Sequence, residues 1–214
     1  MQTYPVSLVL EGRAVVVVGG GAVATRKVEG LLPTGATIAV VSPDVSDRLA
    51  EHIQARRCAW RARTYEAHDL DDADIVFVAT DDEAVNAQVH ADACAAHLMV
   101  NVADRPELCT FFLPSVLRRG KLSVAVSTEG ASPLTARRLR RQLEKLVPEE
   151  FEDYLDLLAS WRPRAIDALP DEPTRLRFWE QATDGRVQTL LEQGEAKAAG
   201  QLLERLLEET RGLV

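Results

Sequence analysis

Gly19, Gly20 and Gly21 form an unbroken triplet between the β-branched run Ala14-Val15-Val16-Val17-Val18 and the helix-opening residues Ala22-Val23-Ala24. Set against the G-x-G-x-x-G/A pattern, Gly19 makes the tight turn and Gly21 lets the backbone approach a pyrophosphate closely. Ala24 fills the small third slot, where helix packs on strand. Gly20, Ala22 and Val23 complete the cradle, because a helix N-terminus offers free N–H groups and a positive dipole end to phosphate oxygens. A plain glycine turn accounts for the triplet but not for its place between strand and helix. An acidic residue normally bonds the adenosine ribose about 20 residues beyond the glycines. Here Ser42-Pro43-Asp44 supplies it, a few residues late. No arginine adjoins Asp44 to receive a 2′-phosphate, so NAD is expected rather than NADP.

Further chemistry-bearing residues follow other apolar runs. Thr80-Asp81-Asp82 ends the run Ile75–Ala79, at the strand end where ligands of open α/β sheets bind. One carboxylate there suffices as a helix cap, which leaves the other free for a cofactor. Asn101-Val102-Ala103-Asp104 ends the next run, and Asp104 stands beside Arg105-Pro106 as a lone carboxylate. Asp104 is a candidate general base near the nicotinamide end; capping a loop before the proline is the alternative. Arg137, Arg138, Arg140 and Arg141 crowd one helix behind the small-residue loop Ser127-Thr128-Glu129-Gly130-Ala131-Ser132-Pro133. Together they suit a polycarboxylate. His52, His68, His90 and His97 lack metal-ligand spacing, and no metal site is expected. Cys58, Cys94 and Cys109, odd in number and widely spaced, read as free thiols of a reducing cytoplasm.

These residues need a scaffold that carries them to one edge. Strands at Ala14–Val18, Thr37–Val41, Cys58–Arg63, Ile75–Ala79 and Leu98–Asn101 alternate with helices at Ala22–Leu32, after Ser46, and at Glu83–His97. That alternation predicts an α/β fold, a doubly wound parallel sheet of Rossmann type. Past Pro114 a strand at Leu122–Ser127 precedes a helix capped by Ser132 and running to about Val147. The rest is helix-forming, with breaks expected at Pro163, Pro170, Pro173 and Gly185. The expected divisions are a dinucleotide-binding domain over 1–113, a small α/β segment over 114–147 and a helical region over 148–214.

Charge sharpens the ligand class. The 214 residues carry a net charge of −8, yet Arg105–Lys145 holds nine Lys/Arg against three Asp/Glu. An acidic protein with one basic segment suits a local anionic ligand and argues against nucleic acid. No apolar run approaches the ~20 residues of a membrane span, and the N-terminal residues lack signal-peptide character. No membrane partner and a cytoplasmic location are therefore expected.

With these motifs in view, the sequence resembles the precorrin-2 dehydrogenase/sirohydrochlorin ferrochelatase family of siroheme synthesis. The resemblance rests on Tyr4-Pro5-Val6, VVVVGGGAVATRK, VFVATDDEAVN, VNVADRPELCTFFLPS and LSVAVSTEGASPLTARRLRRQLE, in order, over roughly residues 1–147. It implies NAD-dependent oxidation of precorrin-2 to sirohydrochlorin, with insertion of Fe²⁺ to give siroheme as a second activity that many members have. It also implies a homodimer formed through the segment after the dinucleotide domain, placed at 114–147. The family's essential aspartate falls on Asp104, and its ring-binding region on Asn101–Arg105, Thr110–Pro114 (Phe111 and Pro114 included) and Ser127–Pro133. The cofactor residues it implies are Gly19–Val23, Ser42–Asp44, Thr80, Asp81, Asn101 and Val102. The substrate residues are Arg105, Phe111, Pro114, Ser127, Thr128, Gly130, Ser132 and Arg137. Thr128 departs from the family's frequent serine but keeps a hydroxyl. Precorrin-2 is a tetrapyrrole with eight carboxylates, which gives the basic segment a reason to exist. A non-catalytic NAD-responsive module is the alternative from another class, and a carrier that has lost turnover is a third; visible-band shifts and NADH release distinguish them.

Overall fold

A computed structural model describes residues 2–212. It divides into two compact units, 1–113 and 114–214.

The first unit is built on five parallel strands: β1 (Ala14–Val18), β2 (Thr37–Val41), β3 (Ala59–Arg61), β4 (Ile75–Val78) and β5 (Met99–Val102), ordered β3-β2-β1-β4-β5. β1 is central, and the uninterrupted valine run explains why. Val15 and Val17 pack on one face with Ala24, Val28 and Leu31 of α1 (Ala22–Leu31) and Leu49 of α2 (Asp47–Gln54). Val16 and Val18 pack on the other face with Val89 and Ala93 of α3 (Glu83–Ala95). A strand covered on both faces has no use for a polar residue. The chain reverses its direction of winding at β1, flanked by β2 and β4, and open α/β sheets bind ligands at such a switch point.

The edge strand β3 is shorter than the Cys58–Arg63 run read from sequence, and all of its residues are exposed. It is held from beyond its end by a buried carboxylate. Asp69 accepts from Arg61 at 2.5 Å, from Arg63 at 2.7 Å and from the Glu66 backbone N–H at 3.0 Å. Burial works to raise the Asp69 pKa, but the Arg63, Glu66 and Arg61 donors overcome it and hold the group below the usual carboxylate value. A depressed folded-state pKa contributes stability above the unfolded value of about 4, lost as pH falls from there toward the folded value. Asp69→Asn should therefore cost about 1–3 kcal/mol in urea unfolding near neutral pH, because the buried side chain loses the charge that its arginine and backbone donors are bonded to. Its stability should also lose this contribution to acid sensitivity below about pH 4.

The second unit opens with an antiparallel hairpin, β6 (Ser115–Arg119) and β7 (Leu122–Val126), turning at Gly120 with φ 50°. β6 was not foreseen. Helix α4 (Pro133–Glu144) follows, then α5 (Phe151–Ala168), α6 (Glu172–Ala182), α7 (Arg186–Glu192) and α8 (Ala196–Arg211). The expected break at Pro163 does not occur, and Pro163 lies inside α5. It sits on the exposed side, while Trp161 and Ala165 on either side of it join Phe178, Leu203 and Leu207 in one core. Shared burial holds the helix through the missing N–H. Residues 114–147 and 148–214, expected as separate segments, fold into this one unit. No helix among the described residues is long and apolar enough to cross a membrane.

Candidate active site

The glycine triplet joins β1 to α1, and each glycine meets a different constraint. Gly19 has φ 119° and donates its N–H to the Val41 carbonyl at 2.9 Å; a Cβ there would run into the Ala79 backbone. Gly20 lies against the loop after β2, where a Cβ would overlap the Asp44 carbonyl and come within 2.9 Å of the Ser42 hydroxyl oxygen. Gly21 is the N-cap of α1 in an extended conformation, φ −80° and ψ −169°, and a Cβ on it would meet nothing within 4 Å. Protein packing thus explains Gly19 and Gly20. At Gly21 the space is open, as close approach of a ligand requires.

Capping separates α1 from its neighbours. Ser46 caps α2 by accepting from the Leu49 N–H at 3.3 Å, and Asp82 caps α3 by accepting from Ala84 and Val85 at 2.9 and 3.1 Å. Gly21 makes no side-chain cap, and among the described residues no side chain accepts from the first N–H groups of α1, at Ala22 and Val23. These residues fit a pyrophosphate, the donor set being backbone N–H groups at a positive dipole end. At the end of β2, Asp44 and Pro43 are exposed, and the Ser42 carbonyl accepts from the Trp60 indole at 2.9 Å. The Thr80 hydroxyl accepts from the Asp82 N–H at 2.8 Å, which leaves Asp81 exposed beside the cap.

Asp104 lies two residues past β5, exposed, with φ 58°. Non-glycine residues enter the left-handed region seldom, though Asp and Asn do so at lower cost, and such conformations gather at functional sites. The loop is held by Cys109, whose sulfur accepts from the Val102 N–H at 3.2 Å and faces the Val102 and Arg105 carbonyls at 3.2 and 3.3 Å. Burial pushes the Cys109 thiol pKa up, preserving the proton it donates. Asn101, buried at 6% exposure, donates to the Phe111 carbonyl at 3.0 Å and accepts from Lys27 at 3.1 Å. Its side chain is engaged within the protein, so of Asn101 and Val102 it is the strand backbone that borders the site. Phe111 packs edge-on against Phe77, and Arg105 pairs with Glu83 at 3.1 Å and Glu107 at 3.4 Å.

Lys27 is a half-buried cation bonded to Asn101 that the motifs did not single out. It shares the inward stripe of α1 with Ala24, Val28 and Leu31, and a cation on a buried stripe was the available signal.

Pro114, Ser127, Thr128, Gly130, Ser132 and Arg137 belong to the second unit. Glu129 and Gly130, at φ 51° and 83°, form a tight turn closed by the Ala131 N–H donating to the Thr128 carbonyl at 2.8 Å. The Ser127 hydroxyl accepts from Glu129 at 3.2 Å, and that of Thr128 from Ser132 at 3.1 Å. Ser132 caps α4 by accepting from the Thr135 N–H at 3.3 Å. Arg140 pairs with Glu144, whereas exposed Arg137 makes no ion pair among the described residues. No group of three or more His, Cys, Asp or Glu among the described residues could hold a metal ion.

Comparisons with known proteins identify the family. Residues 6–115 match the NAD(P)-binding family model, 119–146 the model of the sirohaem biosynthesis protein central region, and 154–207 that of the sirohaem synthase dimerisation region. The dimerisation match thus lies on α5–α8, later in the chain than the 114–147 segment expected to dimerise. The chain is 38% identical over 207 residues to the siroheme synthase of Sodalis glossinidius, covering 97% of this chain and 44% of that protein. It is 35% identical over 210 residues to the siroheme synthase of Psychrobacter sp. (strain PRwf-1), covering 98% and 43%. It therefore spans less than half the length of these relatives. The solved structure of SirC, a precorrin-2 dehydrogenase, superposes with a TM-score of 0.78 at 30% identity, covering 95% of this chain and all of that one. An NAD(P)-binding unit followed by both siroheme-specific regions, matched over 95% of the chain by a whole solved relative, places this chain in the precorrin-2 dehydrogenase family of siroheme synthesis.

Proposed function

We propose that this chain oxidises precorrin-2 to sirohydrochlorin with NAD, and that Asp104 is its general base. The observation that carries the reading is the pairing, on one sheet edge, of an uncapped α1 N-terminus with a carboxylate held at φ 58°. When bound, the nicotinamide supplies a two-electron acceptor. Gly19–Val23 would hold its pyrophosphate, Ser42–Asp44 its adenosine ribose, and Thr80, Asp81 and Val102 would border the remainder. Asp104 accepts the proton that leaves the macrocycle as the carbon–hydrogen bond breaks. Within the second unit, exposed Arg137 and the hydroxyls of the Ser127–Ser132 turn are donors of the kind that carboxylates accept from.

The preference for NAD is supported by Asp69. Arg61 and Arg63, the arginines following β2 on the edge strand and its extension, are both bonded to it, so neither is free for a 2′-phosphate. Catalytic efficiency with NAD should exceed that with NADP by at least about tenfold, and equal efficiencies would overturn this part of the reading. The helical region over 154–207 supports a homodimer, which sedimentation would register as a doubled mass.

Incubating the protein with precorrin-2 and NAD should yield NADH and the visible bands of sirohydrochlorin together. Absence of both would overturn the proposal. Adding Fe²⁺ to the product then tests metal insertion, with iron as substrate and Asp104 as the proposed acceptor of the pyrrole protons.

A further inference from the structure

Lys27 is a half-buried cation with an unusual set of neighbours. Its ammonium group donates to Asn101 Oδ1 at 3.1 Å and lies 5.6 Å from the centroid of the Phe77 ring. No carboxylate stands within salt-bridge distance of it among the described residues. Lysines are seldom buried without such a partner, because desolvation penalises the charge. Core packing alone would be served by an apolar side chain on this stripe, beside Val28. The charge therefore needs another account.

What Lys27 touches supplies one. Asn101, its acceptor, donates onward to the Phe111 carbonyl at 3.0 Å and approaches Cys109 Sγ at 3.6 Å. Cys109 in turn fastens the loop from Val102 to Arg105 that displays Asp104. A continuous set of contacts thus runs from α1 to the loop that carries the base. The titratable and charged groups around the ammonium are Arg26 on its own helix and Cys109 and Asp104 on the loop. Arg105, next to Asp104, is engaged by Glu83 and Glu107.

We propose that Lys27 is a positioning residue for Asp104: through Asn101 it fixes the loop, and its charge faces the loop from α1. The proposal rests on the dehydrogenase reading above. Burial lowers the Lys27 pKa from the ordinary lysine value, with Cys109 and Asp104 opposing the shift. The charge is present below that lowered pKa and lost as pH rises through it.

Lys27→Met and Lys27→Arg test this together. Lys27→Met should lower kcat by about 10–100-fold, the scale expected when a catalytic group is displaced. Its KM for precorrin-2 and its NADH affinity, read by fluorescence, should stay within about twofold. Lys27→Arg should restore most of kcat and move the alkaline limb of the pH profile upward, since guanidinium stays charged. Amide exchange at Val102 and Cys109 should quicken in Lys27→Met and not in Lys27→Arg, a readout that needs no substrate. Wild-type kcat in Lys27→Met, or a kcat loss with an unmoved alkaline limb in Lys27→Arg, would overturn the proposal. If the wild type itself shows no turnover, the dehydrogenase reading fails, and unchanged exchange in Lys27→Met then overturns the loop-fixing role separately.

Discussion

Asp104→Asn should reduce precorrin-2 oxidation by about 10²–10⁴-fold, the range lost when a positioned general base is removed. NADH affinity and thermal midpoint should barely change. Asparagine is the informative replacement because the backbone stands at φ 58°, a conformation that Asn and Asp accept more readily than alanine. Alanine would remove the base and also strain the loop, by roughly 1–2 kcal/mol, so a loss of rate could be blamed on displacement. Asparagine keeps the size, the turn and the Cys109 contacts while losing the capacity to accept a proton. Single-turnover measurement with saturating NAD isolates the chemical step, and fluorescence titration with NADH checks the cofactor site. Turnover within about tenfold of wild type would remove Asp104 from its role.

How well the sequence foretold this arrangement depended on whether a signal was local. The valine run of β1, a carboxylate cap from the Asp81-Asp82 pair (Asp82 in the event), the Ser132 cap and the proline at the start of α4 each act on near neighbours, and the structure shows each of them. β6 was missed because Ser115–Arg119 carries two arginines and only becomes a strand by pairing with β7. Pro163 misled for a similar reason: a helix breaker by local rule, it is overridden by a core assembled from residues up to Leu207. The role of Gly20 was equally out of view, since the reason for glycine there is the Asp44 carbonyl, 24 positions away. Asp104 itself was legible as a lone carboxylate after a strand. Its left-handed backbone, and the contacts of Cys109 with Val102 and of Lys27 with Asn101 beside it, arise only when distant segments come together in the fold.

The glycine triplet yields the second large effect, because its members should fail in different ways. Gly19→Ala and Gly20→Ala place a methyl group against backbone atoms, of Ala79 in one case and Asp44 in the other. Backbone cannot swing aside as a side-chain tip can. Both variants should lose about 1–3 kcal/mol or more, the scale of overpacking, with Gly19 adding the penalty of its φ of 119°. Gly21→Ala differs: its φ of −80° suits any residue, and the new methyl meets no protein atom within 4 Å. Replacing glycine at a compatible site limits the unfolded chain and commonly stabilises by about 0.4–1 kcal/mol. Its thermal midpoint should therefore hold or rise. NADH affinity should nevertheless fall by about 10–100-fold, because the methyl occupies the approach to the uncapped N–H groups of α1 (1.4 kcal/mol for each factor of ten). Thermal unfolding and NADH titration on the same three variants separate the outcomes. A Gly21→Ala protein that binds NADH like the wild type would mean that the phosphates do not lie over the start of α1. Reduced binding in a protein of undiminished stability would tie the open space at Gly21 to the cofactor rather than to the fold.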